Sequence, residues 1–330
     1  MPFVLACYIE VWKLEVRMEI TVILCTYNRC QSLAKSLESL AASQMPESVS
    51  WEVLVVDNNS RDQTRAVVED YSRRYPERFR YLFEPKQGKS HALNAGIQAT
   101  EGEILAFVDD DVTVDSTWLQ NLTAPLRNGE WAGAGGRILP EQNFSPPHWL
   151  PLQDRYALAP LALFDLGPEA GPLIEPPFGT NMAFQRKAFE RYGGFRTDLG
   201  PQPGSEIRSE DSEYGHRLLA AGEQLRYEPS AIVYHSVPPD RIQKPYHLAW
   251  RFDKGRAEIR QFGIPTETRW LVAGIPLYLF RRFAVWTVRW MIAIEPSRRF
   301  SNKLKTWSVA GQILECYHLP RVISRRRKPS

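Results

Sequence analysis

At 330 residues, with 43% hydrophobic and 24% charged side chains, the chain is long enough to bury a large core and too apolar to remain a disordered polymer. A net charge of +3 excludes a uniformly polybasic or polyacidic protein. The charge is nevertheless laid out unevenly: residues 241–330 hold 19 Lys and Arg against 5 Asp and Glu, whereas residues 1–240 hold 22 against 33.

The four cysteines, Cys7, Cys25, Cys30 and Cys316, form no CxxC pair and show no ligand spacing, which predicts free thiols and a cytosolic setting. No run reaches the ~18 apolar residues of a membrane-crossing helix. Residues 1–17 lack the basic start and small-residue cleavage site of a signal peptide, and a protein begun at Met18 is expected to fold and act without them.

Residues 20–25 are apolar and β-rich, and Leu33, Leu37 and Leu40 then recur at helical spacing over 31–43, a strand followed by a helix. A second apolar strand over 51–56 ends at Asp57, and a helix over 62–75 follows with Pro76 beyond its end. The alternation returns as a strand at 79–83, a helix at 90–99, a strand at 104–108 and a helix at 116–126. This pattern predicts an α/β fold: a Rossmann-like, mostly parallel sheet with helices on both faces, binding ligands beyond the carboxyl ends of its strands.

Polar clusters fall at those ends: Thr26-Tyr27-Asn28-Arg29, Asp57-Asn58-Asn59-Ser60 and Asp109-Asp110-Asp111. Each alone reads as an ordinary turn, but three on one rim predict a binding edge. Three adjacent carboxylates at the end of a buried strand repel one another. A hard divalent cation, Mn2+ or Mg2+, takes oxygen ligands and would offset that repulsion.

Residues 140–177 are proline-rich and weakly periodic, and are expected to form an insertion over the sheet that contributes to an acceptor site. Order resumes at 178–184, with a short helix around 187–192 closed by Gly193-Gly194, and residues 200–205 read as a mobile loop. Ser209-Glu210-Asp211-Ser212-Glu213 opens a helix that runs through Leu219 and stops at Gly222, and a strand over 231–234 ends on His235. Two carboxylates at a helix N-terminus are stabilised by its dipole, either as a cap or as an acid–base pair. His235 reads either as a hydrogen-bonded strand-end residue or as a metal ligand.

Taken in order, Cys25-Thr26-Tyr27-Asn28-Arg29, Val55-Val56-Asp57-Asn58-Asn59-Ser60, Gly88-Lys89-Ser90-His91-Ala92-Leu93-Asn94-Ala95-Gly96, the acidic triplet, Gly179-Thr180-Asn181-Met182-Ala183-Phe184, Gly193-Gly194-Phe195, Glu210-Asp211 and Tyr234-His235 resemble family 2 glycosyltransferases of the GT-A fold, over residues 19–237. The resemblance implies that Asp57 binds the base or ribose of a nucleotide, framed by Thr26 and Arg29, and that Lys89, ahead of a helix, meets the diphosphate. It implies a DxD-like pair, Asp109 and Asp111, in which Asp111 ligates Mn2+ or Mg2+ and Asp109 or Asp110 reaches ribose or metal-bound water, with His235 completing the metal shell. It further implies Asp211 as general base, Glu210 as a residue holding the acceptor, and Gly179, Thr180 and Asn181 on the acceptor side. Relatives often carry Gly where Ser209 stands.

The implied activity is metal-dependent, inverting transfer from a nucleoside-diphosphate sugar to a hydroxyl of a glycan or lipid-linked acceptor, in cell-envelope polysaccharide or glycolipid biosynthesis. One rival, a sugar-phosphate nucleotidyltransferase, usually carries a Gly-rich, basic loop after its first strand, which residues 26–29 lack. The other, a non-catalytic glycan-assembly scaffold, leaves Asp57, Asp111 and Asp211 without a purpose.

In the basic region, apolar runs at 270–280 and 283–288 are split by Arg281-Arg282 and followed by Arg289-Trp290. At about 100° per residue these arginines share a sector of about 100°, which predicts an amphipathic helix bent at Pro276 and lying in an anionic membrane interface. Arg325-Arg326-Arg327-Lys328 would add attraction to acidic lipid. The alternative is a pair of helices packed on the catalytic domain. A nucleic-acid partner is not expected, because no nucleic-acid module accompanies the charge. The expected division is an N-terminal extension at 1–18, a GT-A domain at 19–240 and a basic helical region at 241–330, peripheral on the cytoplasmic face of a membrane.

Overall fold

The computed structural model describes residues 18–318 except 143, 153, 204–206, 265–267 and 269. The expectations for residues 1–17, for the 325–328 cluster and for the end of the 200–205 loop lie outside the described residues.

Strands β1 (Ile20–Thr26), β2 (Trp51–Asp57), β3 (Phe79–Phe83) and β4 (Ile104–Asp109) form a parallel half-sheet in the order β3-β2-β1-β4. Helices α1 (Cys30–Ala41), α2 (Thr64–Arg74), α3 (Lys89–Gln98) and α4 (Trp118–Arg127) alternate with them, every bound within two residues of its expected place. The periodic apolar positions cause this: Leu33, Leu37 and Leu40 are the face α1 buries, and every residue of β2 is buried, as a strand covered on both faces must be. In register, Asp57 pairs with Thr26 and Asp109 with Cys25, so the three polar clusters share one rim.

Of the other half-sheet, the sequence showed only the end of the last strand as a strand. This half adds β5 (Val112–Val114), β6 (Gly133–Pro140), β7 (Gly171–Leu173), β8 (Asn181–Gln185) and β9 (Leu225–His235), the last longer than expected. Among the described residues the sheet has nine strands, ordered β3-β2-β1-β4-β8-β6-β9-β5, with β7 also on β9 and β8 antiparallel to both neighbours. Strand β6 carries three glycines for contact rather than for turning. A Cβ on Gly136 would stand 2.0 Å from the Ala231 carbonyl oxygen, so the positions that make the strand fit also erase its hydrophobic signature.

The proline-rich insertion divides. Its β7 and Phe164 join the sheet, while Trp149, Leu150, Leu161 and Ala157, the last on the short helix α5 (Arg155–Leu158), pack against Phe300 and Leu304 of the C-terminal region. After α6 (Arg186–Tyr192) and α7 (Glu210–Ala220) come α8 (Lys244–Phe262), a hairpin of β10 (Leu271–Val272) and β11 (Ile275–Pro276), α9 (Leu277–Ile292) and α10 (Pro296–His318). Helices α8 and α10 touch backbone to backbone: a Cβ on Gly255 would lie 2.0 Å from the Ser308 carbonyl oxygen, and one on Gly311 2.0 Å from that of Phe252. Arg256 and Arg260 of α8 both reach Glu315 of α10, at 2.9 and 2.6 Å.

Two expectations for this region are corrected. Pro276 does not bend a helix; it ends the hairpin and stands at the N-cap of α9, where its missing N–H costs nothing. The apolar sector opposite the arginines is not free. Leu279 and Trp286 pack into a cluster with Val309 and Ile259, and Trp290 meets Trp307 edge-on at 5.7 Å. The outward side mixes both kinds of residue: Leu277, Arg281, Val285, Val288 and Ile292 are exposed and fall within about 80° at about 100° per residue. Among the described residues no helix is long and apolar enough to cross a membrane.

Candidate active site

The rim begins where β1 gives way to α1. The Cys30 N–H, one of the free donors of the helix start, is met by Asp62 Oδ2 at 2.9 Å. Beside it Asp57, 2% exposed, accepts from the Ser60 N–H at 2.9 Å and from the Tyr81 hydroxyl at 2.8 Å. Burial and this carboxylate push the Tyr81 phenol up to about 12. Asn58 fastens the next loop: its amide donates to the Glu84 and Lys86 carbonyls at 3.2 and 2.8 Å, and its Oδ1 accepts from Gly88 N at 2.7 Å. Gly88 has φ of +135°, open only to glycine, and this turn delivers Lys89 as the first residue of α3.

The acidic triplet is split among three sets of partners. Asp109 bonds Lys89 Nζ at 2.6 Å through Oδ1 and Thr180 Oγ1 at 2.8 Å through Oδ2. Burial opposes its charge, but Lys89 outweighs that and holds Asp109 below the usual carboxylate range. Asp110 takes Thr26 Oγ1 at 2.7 Å and Arg29 Nη1 at 3.1 Å, and burial, against the pull of Arg29, pushes it up to about 6. Asp111 faces Arg29 Nη1 at 2.9 Å, Arg241 Nη2 at 3.2 Å and His235 Nε2 at 3.5 Å. Although burial disfavours its charge, its basic neighbours hold it well below the carboxylate range, first His235 when that ring is protonated, then Arg241 and Arg29.

The candidate metal ligands are thus brought together only in part. Among the described residues no three His, Cys, Asp or Glu side chains converge to hold an ion, and Asp109, expected as a ligand, has both oxygens engaged elsewhere. Asp111 and His235 do face each other. Arg241 Nη1 lies 3.1 Å from His235 Nε2, and since a guanidinium only donates, the neutral ring that accepts this contact presents a lone pair at Nε2. A carboxylate oxygen and an imidazole lone pair sharing one positive partner fit a cation that keeps its other positions for phosphate oxygens and water.

On the far side of Asp109, Asp211 Oδ2 accepts from Gly179 N and Oδ1 from Ser212 N, both at 2.7 Å. Of the three residues expected on the acceptor side, only Gly179 touches this carboxylate. Thr180 binds Asp109. Asn181 is 1% exposed and committed to the sheet, accepting from Trp118 Nε1 and donating to the Arg137 and Ala231 carbonyls, each at 2.8 Å. Glu210 also departs from expectation: it is buried, with Oε1 3.6 Å from Lys89 Nζ, which places it behind the lysine rather than open to an acceptor. Burial and the adjacent Asp211 raise its pKa. Burial alone would lower that of Lys89, but Asp109 and Glu210 reverse the effect and raise it.

Sequence reasoning missed Tyr81, Arg241 and Lys254, whose Nζ lies 2.7 Å from Ser209 Oγ. Each is a single residue of common type inside a strand, a proline-rich loop or a basic helix, so no spacing marks it.

Residues 21–193, more than half the chain and reaching from β1 past the end of α6, match the sequence model of glycosyl transferase family 2. The chain belongs to glycosyl transferase family 2. This glycosyltransferase is 29% identical over 244 residues to the succinoglycan biosynthesis protein ExoM of Rhizobium meliloti (strain 1021), covering 74% of this chain and 75% of that one. It is 26% identical over 224 residues to the glucosyl-dolichyl phosphate glucuronosyltransferase of Haloferax volcanii, with coverage of 67% and 70%. In fold it is similar to the mannosyltransferase PcManGT from Pyrobaculum calidifontis, solved with GDP-Man and Mn2+, at a TM-score of 0.62 and 19% identity over 93% of this chain and 89% of that one. The expected GT-A architecture with a C-terminal helical extension is met, and the protein is a family 2 glycosyltransferase.

Proposed function

We propose that the rim performs metal-dependent, inverting transfer from a nucleoside-diphosphate sugar to a hydroxyl of a glycan or lipid-linked acceptor. The observation that carries this reading is one unbroken series of contacts, from Asp211 through Gly179 and Thr180 to Asp109 and Lys89. It ties a carboxylate able to take a proton to a cation able to receive a diphosphate through one run of contacting residues. PcManGT, similar in fold, was solved with GDP-Man and Mn2+, the two kinds of ligand this reading calls for.

In this reading Asp57, oriented by Tyr81 and Ser60, binds the nucleoside, and Thr26, Arg29 and Asp110 frame it. Lys89, at the start of α3 where the helix dipole favours negative charge, receives the diphosphate. Asp109 holds Lys89 in place and reaches the ribose. Asp111 and His235 would hold Mn2+ or Mg2+, which when bound neutralises charge on the leaving diphosphate. Asp211, held by two backbone N–H groups, removes the acceptor proton as its oxygen attacks the anomeric carbon. Glu210 supports Lys89 from behind.

The experiment is to incubate the full chain with a panel of nucleotide sugars and Mn2+ or Mg2+ and to measure nucleoside-diphosphate release. Release from one donor above the others, abolished by chelator, is the expected result; no release from any donor with either metal overturns the proposal.

The outward side of α9 supplies the reading of location. Exposed Leu277, Val285, Val288, Met291 and Ile292, next to exposed Trp270, Leu271 and Val272 of the hairpin, are interleaved with arginines whose stems can lie along an apolar surface while their heads meet phosphate. We place this side in the interface of an anionic membrane on the cytoplasmic face. The full chain is expected to float with vesicles containing acidic phospholipid. A variant with Val285, Val288 and Ile292 all changed to Ser is expected to stay in the dense fraction while keeping its melting temperature. Equal flotation of both proteins contradicts the placement.

A further inference from the structure

Ser209 has φ of +100° and is 2% exposed. A side chain in the left-handed region is strained and persists only when its surroundings hold it there. As the residue before α7 it makes no side-chain cap of its own. Its Oγ instead accepts a hydrogen bond from Lys254 Nζ at 2.7 Å, across a sequence separation of 45 residues. Its carbonyl accepts from Glu213 N at 2.9 Å, which makes Ser209 the joint between the preceding loop and the helix.

Two residues on is Asp211. Its carboxylate is fixed by the main-chain N–H groups of Gly179 and Ser212, so its position follows from the path of the backbone at 209–212. Lys254 itself sits on a stiff support. Its neighbour Gly255 is pressed against the Ser308 carbonyl, and Arg256 and Arg260 are tied to Glu315, so α8 cannot drift from α10 without breaking these contacts.

We infer that Lys254 is a positioning residue for catalysis: anchored on the α8–α10 pair, it holds Ser209 in its left-handed conformation and thereby sets the backbone that aims Asp211. The C-terminal region thus completes the active site. This rests on Asp211 being the base. Glycine adopts the same φ without being held, so the inference makes a specific demand: Lys254 matters only while a side chain stands at position 209.

The test is a double-mutant cycle on the full chain, with wild type, Lys254→Met, Ser209→Gly and the double variant. Donor turnover with water as acceptor is read as kcat and donor KM, and thermal melting checks the fold. Lys254→Met is expected to lower kcat by about 100-fold, the scale of a misplaced catalytic group, with donor KM unchanged. In the Ser209→Gly background the same change is expected to cost less than about 3-fold in kcat, because the two residues act as one unit. Wild-type turnover by Lys254→Met overturns the inference, as does an equal loss in both backgrounds. Should Lys254→Met fail to melt cooperatively, Ser209→Ala removes the same contact from the other side; it is expected to show the same fall in kcat, and unchanged kcat there overturns the inference. Asp211→Asn, run in parallel, separates the two readings. Full turnover by that variant ends the base assignment itself, whereas its inactivity beside an additive cycle ends only the role given to Lys254.

Discussion

Asp211→Asn is expected to lower kcat by about 100- to 10,000-fold, the usual contribution of a general base, or about 3–5 kcal/mol at 1.36 kcal/mol per decade. Asparagine has the same shape, and its single carbonyl oxygen keeps one of the two backbone contacts from Gly179 and Ser212. It loses the capacity to take up a proton. Donor KM should therefore move little, because the residues proposed to bind the nucleoside and diphosphate are Asp57 and Lys89, and melting should shift far less than activity. Steady-state turnover with parallel melting curves checks both parts. A folded Asp211→Asn protein with near wild-type kcat would mean that the acceptor proton leaves by another route.

Asp111→Ala is expected to abolish both Mn2+ binding and metal-stimulated turnover, a loss of at least about 100-fold given the several kcal/mol a bound metal supplies to developing charge. Two opposing effects act at this residue. The variant removes the carboxylate that Arg29, Arg241 and His235 all face, which leaves the two arginines without this ion-pair partner. It also ends the pairing of carboxylate and imidazole that fits a cation. Titration of the metal-free protein with Mn2+, followed by electron paramagnetic resonance of the free ion, separates binding from activity. His235→Ala should weaken the same binding, whereas Asp109→Asn should spare it, since Asp109 is engaged by Lys89 and Thr180. Undiminished Mn2+ uptake by Asp111→Ala contradicts the assignment.

The parallel half of the sheet was legible because its forces act at short range in sequence. Leucines at helical spacing, a wholly apolar β2 and carboxylates just beyond strand ends all follow from which side each residue must face. The other half, which mixes antiparallel pairs with the parallel pair β6–β9, follows from contacts between distant segments. The glycines of β6 are there because Ala231 and Phe184 press on them, which no local pattern encodes. The site divides along the same line. Asp57, Lys89, Asp109, Asp111 and Asp211 stand in recognisable words at element ends, and the fold brings them to one rim. What each carboxylate faces could not be read from three consecutive identical residues, because successive side chains leave the end of β4 in different directions and meet Lys89, Arg29 and Arg241, which come from three separate loops and helices. Asn181 shows the converse: a polar residue in a family-like word that serves the sheet, joining Trp118 to the backbone of β6 and β9. The basic C-terminal residues were legible as charge, but Lys254 is set by the packing of α8 on α10 and gives no sign in sequence.

A proton acceptor on one side of the anomeric carbon and a receptor for the leaving diphosphate on the other require a single in-line displacement. The measurement that bears on this most directly is the anomeric configuration of the sugar at the moment of release, read by proton NMR during turnover of the donor identified from the panel. An α-linked nucleotide sugar should give the β-configured product first, with the α-anomer appearing only through later mutarotation. An α-configured initial product would contradict the account.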